Sequence, residues 1–187
     1  NSVGAVVDYV TRMPTRLEAH AQAGYVSQPF DLYNTHATYR AWQASASVGD
    51  RNGAWSWWFN VNRTDSHGQP LTFAPRLLST GVTGTAGVPV TGAVLNKDKS
   101  NNPWYLLGTG TEYHTVQDHL KVKLAYDLSP TVRASYVLGL WWNNAEGRPA
   151  TYLQGPTGQP VTSGGINING QSFAALTGGD FALTNER

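Results

Sequence analysis

The sequence contains no cysteine, and only 13% of its 187 residues are charged. A chain without cysteine forms no disulfides and offers no thiolate ligands to a metal. Positive and negative side chains nearly balance, with a formal net charge of +1, so no surface for nucleic acid is predicted. No apolar run approaches the roughly 20 residues of a transmembrane helix, although membrane barrel strands give only a weak, alternating pattern.

Motifs that carry catalysis or nucleotide binding are also missing. The sequence has no GxSxG elbow, no HExxH pair and no Walker sequence. The glycine-rich segment 81–92 lacks lysine, and its glycines are better explained by loop flexibility. The acidic residues are scattered, and their spacing brings no pair together. We therefore predict no enzymatic activity, no catalytic residue and no cofactor.

Alternating polar and apolar residues are the main positive feature, and they predict an all-β fold of antiparallel, up-and-down strands. The alternation runs through three segments, 16–25, 39–63 and 120–142. Successive side chains of a strand point to opposite faces, so each segment has an apolar face and a polar face.

The segment 39–63 predicts a hairpin around the turn Asp50-Arg51-Asn52-Gly53. Asn-Gly is typical of a type I′ turn, because both central positions need a positive φ. The apolar face consists of Trp42, Ala44, Ala46, Val48, Trp55, Trp57, Phe59 and Val61. Whether the loop is Asn52-Gly53 or all four residues, large side chains of the second strand lie beside small ones of the first.

A second hairpin is predicted over 120–142, with its turn at Ser129-Pro130-Thr131. Its apolar face includes Leu120, Val122, Leu124, Tyr126, Leu128, Val132, Tyr136, Leu138, Leu140 and Trp142, and its polar face carries Lys121, Lys123, Asp127 and Arg133. A strand from Leu120 to Leu128, tilted by about 45°, rises roughly 20 Å, which is close to the apolar band of an outer-membrane barrel.

The connections are predicted to differ between the two ends of the sheet. Irregular segments are expected over about ten residues around 28–31, over 64–110 and over 146–179, before a final strand starts at 180–184. Tight turns then fall at one end and long loops at the other, as in outer-membrane barrels. The alternative is a soluble sandwich with tryptophans in its core, where Arg40 and Arg63 on the apolar parity would be costly.

Residues 4–14, GAVVDYVTRMP, contain a small-residue pair, a short apolar strand over 5–10, and then threonine, a basic residue and proline. This segment resembles the plug-ending strand of TonB-dependent outer-membrane receptors, and residues 16–63 resemble the start of that family's barrel. Asp8-Tyr9 depart from the pattern, since the family more often has asparagine followed by an aliphatic residue. The resemblance covers most of the chain in order.

The resemblance implies a barrel of about 22 strands around a plug, in the outer membrane of a Gram-negative cell. It implies energised uptake of a ferric siderophore or a similar nutrient chelate, driven by the TonB complex through a segment preceding these residues. Residues 1–14 would be the C-terminal end of the plug domain, and residues 15–187 the N-terminal part of the barrel, with about six strands. Because the chain begins at Asn1 without an initiator methionine or signal peptide, we expect a fragment that does not transport alone.

The barrel interpretation assigns two sets of residues. The lipid-facing set is Trp42, Trp55, Trp57, Phe59, Leu124, Tyr126, Tyr136, Leu138 and Trp142. The set expected to contact the ligand is His67, Arg76, Trp104 and Tyr105, since aromatic and cationic groups suit an anionic, ring-bearing chelate. No metal site is predicted, because His114 and His119 would face opposite sides of one strand, while His36 and His67 are assigned to loops.

Two rival functions stay open beside the receptor. A soluble, secreted β-sandwich module would bind carbohydrate through exposed tryptophans and would be monomeric without detergent. An extracellular β-rich hydrolase would need a pair of acids that the sequence does not reveal.

Overall fold

A computed structural model describes residues 12–181 and 185–186, and within them the chain is all-β with mainly antiparallel pairing. The strand predicted over 5–10, at the expected end of the plug, lies outside the described residues. Residues 182–184 of the predicted final strand also lie outside them, whereas Asp180 ends up in a short 3₁₀ helix, Gly178–Phe181. The prediction of a strand starting at Asp180 was therefore wrong. No helix of the described part has the length and apolarity to span a membrane.

The largest sheet contains six strands, which pair in the order β1-β2-β3-β9-β10-β13. These strands are β1 (Glu18–Leu32), β2 (Thr35–Asn52), β3 (Trp55–His67), β9 (Tyr113–Ser129), β10 (Val132–Gly147) and β13 (Asn185–Glu186). Five of them are the segments whose side chains alternate in the sequence. In the described part of the chain the order has two ends, β1 and β13, so this sheet is open and does not close into a barrel.

Both predicted hairpins are confirmed, but the first turn lies one residue later than predicted. The loop consists of Gly53 and Ala54, and Gly53 has a φ of +59° while Asn52 still belongs to β2. A positive φ at the first of two loop positions is typical of a type II′ turn rather than type I′. A two-residue loop still places even positions of β2 opposite odd positions of β3, so the predicted faces are unchanged.

The loop predicted around residues 28–31 was wrong, because β1 continues through them to Leu32. The connection to β2 is only Tyr33 and Asn34, and Tyr33 adopts a φ of +55°. Proline 29 indicated a break, since it cannot donate a ladder hydrogen bond. In the described sheet β1 is an edge strand, where a missing donor is tolerated.

The predictions of irregular structure over 64–110 and 146–179 were also wrong. Together these segments form two smaller sheets, with strand orders β4-β8-β7 and β5-β12-β11-β6. The strands are β4 (Thr72–Leu77), β5 (Val82–Thr83), β6 (Val88–Pro89), β7 (Val94–Lys97), β8 (Pro103–Gly110), β11 (Gly164–Ile168) and β12 (Gln171–Leu176). Most are too short for periodicity to reveal them.

The chain divides into two compact units. Unit 1 combines the residues up to Ala23 with Ala44–Arg63 and Asp118–Trp142, and unit 2 combines Gly24–Gln43, Thr64–Gln117 and the residues from Asn143 onward. The main hydrophobic cluster belongs to unit 2 and comprises Ala74, Val90, Tyr105, Leu107, Leu153, Val161, Ile166, Ile168, Phe173, Leu176 and Phe181. The small sheets therefore have a dry core of their own, and none of the predicted lipid-facing residues is part of it.

Candidate functional site

The apolar face of β3, β9 and β10 in unit 1 is exposed. The exposed fraction is 37% for Trp57, 36% for Phe59, 40% for Leu124 and 36% for Leu138. A soluble sandwich would bury these side chains between two sheets. Among the described residues nothing covers them, so this face is available to another medium or partner.

All the residues predicted to face lipid are exposed except Tyr126. The Tyr126 ring lies beside Trp55, with 4.7 Å between the ring centroids. This cross-strand contact joins β9 to β3 on the apolar face and explains why Tyr126 is half-buried. The lipid-facing assignment itself stays a prediction.

On β3 and β9 the polar face of unit 1 is less accessible than the apolar face, whereas on β10 Val137 and Trp141, on the side opposite Leu138, are 55% and 61% exposed. Ser56 is 2% exposed, Lys123 is 7% exposed, and the Lys123 ammonium lies 5.3 Å from the centroid of the Trp58 ring. Ser56 and Trp58 alternate along β3 with the exposed Trp57. In a soluble sheet the polar side is ordinarily the exposed one, so on β3 and β9 the usual relation between polarity and exposure is inverted.

The segment from Arg12 lies against this polar face. Pro14 is buried, and a Cβ added to Gly49 would stand 2.6 Å from Pro14 Cγ and 3.0 Å from Trp58 Cδ1. Arg12 also forms a salt bridge of 2.8 Å with Glu18 at the start of β1. Glycine at position 49 thus permits the close approach of Pro14, the last residue of the predicted plug end.

Charges near the turn end of unit 1 are paired. Asp127 accepts hydrogen bonds from Arg51 at 2.6 Å and from Arg133 at 2.5 Å. This confirms that Asp127 and Arg133 share a face, as the alternation predicts. The pairing also accounts for the tolerance of charge on a half-buried surface.

A second candidate site lies in unit 2, where β3 ends beside the start of β9. The Nε2 atom of His114 lies 2.9 Å from Oδ1 of Asp65. The His67 and His114 rings are stacked, with centroids 4.0 Å apart and an interplanar angle of 6°. Residues 65 and 67 share a face because they are two apart on one strand, and strand pairing brings residue 114 to them.

Two sequence-based assignments of histidines were wrong. His67 is the last residue of β3 and His36 is the second residue of β2, so neither lies in a loop. On its own strand, His114 could be paired only with His119, and the alternation predicts that these two side chains face opposite sides. The spacing Asp-x-His just beyond the strand predicted to end at residue 63 was the available signal, but its partner on a neighbouring strand follows only from the pairing.

The surroundings of this cluster form a cleft of about 330 Å³, whose lining includes Tyr39, Arg40, Glu112 and Arg148. Burial, the neighbouring His114 and Arg148 together lower the pKa of His67, against a smaller opposing effect of Asp65. Burial raises the pKa of Glu112, although hydrogen bonds from Thr109 and Tyr39 oppose the rise. Burial, with a contribution from Glu112, raises the pKa of Tyr39 to about 12. In this cleft, burial therefore favours the neutral forms of His67, Glu112 and Tyr39.

Comparisons with known proteins give no relative. No protein-family model, curated protein or solved structure matches this chain. The functional interpretation therefore rests on the residues themselves and on their geometry.

The four residues predicted to contact a ligand are not brought together as one surface. Arg76 pairs in register with Tyr105, and Trp104 pairs with Leu77, on strands β4 and β8. Tyr105 is buried, with its ring edge-on to Phe173. A buried Tyr105 serves the core of unit 2 rather than a ligand surface.

The other members of this set have separate environments. Arg76 forms a salt bridge of 2.8 Å with Asp180. Trp104 is half-buried, and its indole Nε1 is a buried atom without a hydrogen-bond partner. His67 is exposed and contacts His114 rather than any of the other three. Contact of Trp104 or His67 with a nutrient chelate stays a prediction.

Proposed function

We propose that this chain forms part of the wall of an outer-membrane β-barrel, in a TonB-dependent receptor that takes up a ferric siderophore or a similar scarce nutrient. The observation that carries the proposal is the inverted exposure of β3 and β9 in unit 1, where the aromatic and aliphatic face is open while the polar face, with Ser56 and Lys123, is buried or half-buried. A membrane barrel requires this arrangement, because its outer surface contacts acyl chains and its inner surface contacts water, polar side chains or a plug.

The extent of the apolar face favours lipid over water. Single exposed apolar residues are normal in soluble proteins, but a contiguous apolar surface marks a contact with a partner or a membrane. The face continues across three neighbouring strands through Trp55, Trp57, Phe59, Val61, Leu124, Leu128, Tyr136, Leu138, Leu140 and Trp142, all of them exposed. Acyl chains would cover such a face without needing any specific partner.

The lengths of the strands fit a barrel that extends beyond the bilayer. Strands β2, β9 and β10 contain 18, 17 and 16 residues. Strands of soluble domains usually have 3–10 residues, and about 9–11 tilted residues are enough to cross the hydrocarbon layer. The surplus residues would continue the wall outside the membrane, and both long connections, 68–112 and 148–184, leave the sheet at the same end.

The contact of Pro14 with Gly49 supports the plug part of the proposal. In a receptor of this kind the plug lies inside the barrel and has to reach the inner wall where its chain becomes the first strand. Pro14, the last residue of the plug-like motif, lies on the polar face, which is the inner face in this proposal.

The receptor proposal is tested by attaching a nitroxide spin label to each of two adjacent positions of β3, as Phe59→Cys and Asn60→Cys. The chain has no other cysteine, so the label position is unique within it. The protein as the cell produces it is reconstituted in lipid vesicles, and collisions of the label with oxygen and with a water-soluble nickel chelate are compared. We expect oxygen to dominate at position 59 and nickel, or neither reagent, at position 60.

The β-sandwich carbohydrate module predicts a different result. Its label at position 59 would meet the nickel chelate freely, and the wild-type protein would stay in solution when cells are fractionated. Either outcome would overturn the receptor proposal. A label at position 60 that is as accessible to oxygen as the label at 59 would equally exclude a wall with one face in lipid.

A further inference from the structure

Asp65, His67 and His114 lie together at the junction of β3 and β9, and each offers one ligand atom within 4.8 Å of the others. We propose that these three side chains bind a divalent cation of the zinc class. Two imidazoles and one carboxylate are a common ligand set for Zn²⁺ and Co²⁺, with a remaining position for water. The inference does not depend on the receptor proposal, since it uses only these side chains and their own strands.

Two of the three ligands are already close to the separation that one ion needs. His114 Nε2 and Asp65 Oδ1 are 2.9 Å apart. Two atoms bound to a tetrahedral ion at about 2.1 Å each are about 3.4 Å apart. An ion can therefore replace the hydrogen bond between Asp65 and His114 if these two half-buried side chains separate by about 0.5 Å.

The third ligand has to move to complete the site. The His67 ring lies parallel to the His114 ring, so the lone pairs of the two rings run side by side instead of converging. His67 is exposed, and rotation about its side-chain torsions is not blocked by burial. Breaking a stacked pair costs free energy, so the affinity will be lower than that of a preformed three-ligand site.

The charge around the site is compatible with a cation. Asp65 supplies one negative charge, and Glu112 lines the same cleft. Of the two arginines in that lining, Arg148 is held by Glu146 at 2.7 Å. Arg40 is the remaining positive group, and the two carboxylates offset it.

The experiment titrates the purified protein with Co²⁺ and follows the visible absorption of the bound ion, then displaces Co²⁺ with Zn²⁺ by calorimetry. We expect one ion per chain from this site. Asp65→Asn, His67→Ala and His114→Ala should each weaken binding by about 10- to 100-fold. The control is His36→Ala, which removes an exposed histidine that pairs only with Asp31 in the described structure, and its affinity should equal that of the wild type.

The proposal is overturned if the wild type binds no ion stoichiometrically, or if the His67→Ala, His114→Ala double variant binds as tightly as the wild type. An equal loss in His36→Ala would mean general surface binding and would also overturn it. Thermal unfolding without metal shows whether each variant folds. The spin-label result at positions 59 and 60 is unaffected by these substitutions, so failure of the metal site leaves the receptor proposal standing, and the reverse holds too.

Discussion

Trp57 and Trp58 are adjacent in the sequence and chemically identical, yet they have different surroundings. Trp57 is exposed on the apolar face, whereas Trp58 is half-buried beside Lys123 on the polar face. The difference follows from the pleat of the strand, which turns successive side chains to opposite sides. At the scale of single residues, position along a strand decides exposure more than residue type does.

Glycine 53 provides a prediction about the first turn. Its φ is +59°, and a Cβ added there would meet nothing within 4 Å, so only backbone strain opposes a larger residue. Gly53→Ala should lower the free energy of unfolding by about 1–2 kcal/mol. Gly24→Ala is the matched control, because its site has equally open space and no positive φ.

Urea titrations in detergent micelles, followed by intrinsic fluorescence, measure both glycine variants. We expect a lower midpoint for Gly53→Ala, and for Gly24→Ala a midpoint that is unchanged or slightly higher. Equal midpoints for the two variants would contradict the turn geometry.

Glutamate 112 provides a prediction about pH. Because burial raises its pKa in the folded state, the folded protein holds this proton more tightly than the unfolded chain does. Its contribution to stability is therefore present at low pH and is lost as pH rises from the unfolded value through the raised one. Glu112→Gln, which keeps an acceptor for Thr109, should be more stable than the wild type at neutral pH, and this gain should shrink as pH falls.

Asp98→Asn is the control, because the contribution of Asp98 to stability changes with pH in the opposite direction to that of Glu112. The side chain and backbone of Asn102 lower the pKa of Asp98, so its contribution is present at neutral pH and is lost as pH falls. Unfolding midpoints are measured from about pH 2, below the ordinary Asp98 pKa of 3.8, to about pH 8. The gain of Glu112→Gln over the wild type should grow as pH rises, whereas the loss in Asp98→Asn should shrink as pH falls. A gain of Glu112→Gln that stays constant or shrinks with rising pH would refute the assignment.

At the scale of elements, each long strand has an apolar face and an opposite face, which the receptor proposal assigns to lipid and to the barrel interior. β10 allows a direct comparison, because Leu138 is exposed on the apolar face and Gly139, next to it, has nothing within 4 Å of an added Cβ. In lipid, Leu138→Arg should cost about 2–4 kcal/mol, as arginine does on the outer face near the bilayer midplane. Gly139→Arg, on the inner face, should cost much less.

Guanidinium titrations of the two arginine variants in lipid vesicles give the difference directly. A cost for Gly139→Arg that equals or exceeds that of Leu138→Arg would mean that the faces are assigned the wrong way round.

At the scale of the whole molecule, the apolar residues are distributed unevenly between the two units. Unit 2 contains the dry cluster, in which Leu107, Leu153 and Ile166 have no exposed area. Unit 1 contributes Leu124 and its neighbours to an open face. Burial within the chain can therefore account for the stability of unit 2, while among the described residues the apolar face of unit 1 is left uncovered.

The same substitution in each unit tests this division. Leu153→Ala should destabilise unit 2 by about 2–5 kcal/mol, because it leaves a cavity in a packed core. Leu124→Ala should cost distinctly less, since that side chain is 40% exposed. Hydrogen exchange resolved along the chain measures both, and similar losses of protection within each unit would contradict the proposed division.

The alternation of residues is sufficient to predict the long strands, their two faces and both hairpins. Exposure of Trp57, Phe59, Leu124 and Leu138 agrees with the apolar face that the sequence predicts. The long strands can be predicted because an alternation with period two depends only on residues that are close together in the sequence. The short strands of 64–110 and 146–179 escaped prediction, because two to eight residues rich in glycine, threonine and proline show no such period.

By itself, the sequence determined the central residues of the long strands and which side of each is apolar, because both depend on positions close together in the chain. Only the tertiary structure decided that β1 runs through Pro29, that Tyr105 is buried against Phe173, and that His67 meets His114. Each of these depends on which strands become neighbours. The pairing of strands that are distant in the sequence cannot be predicted from a local pattern.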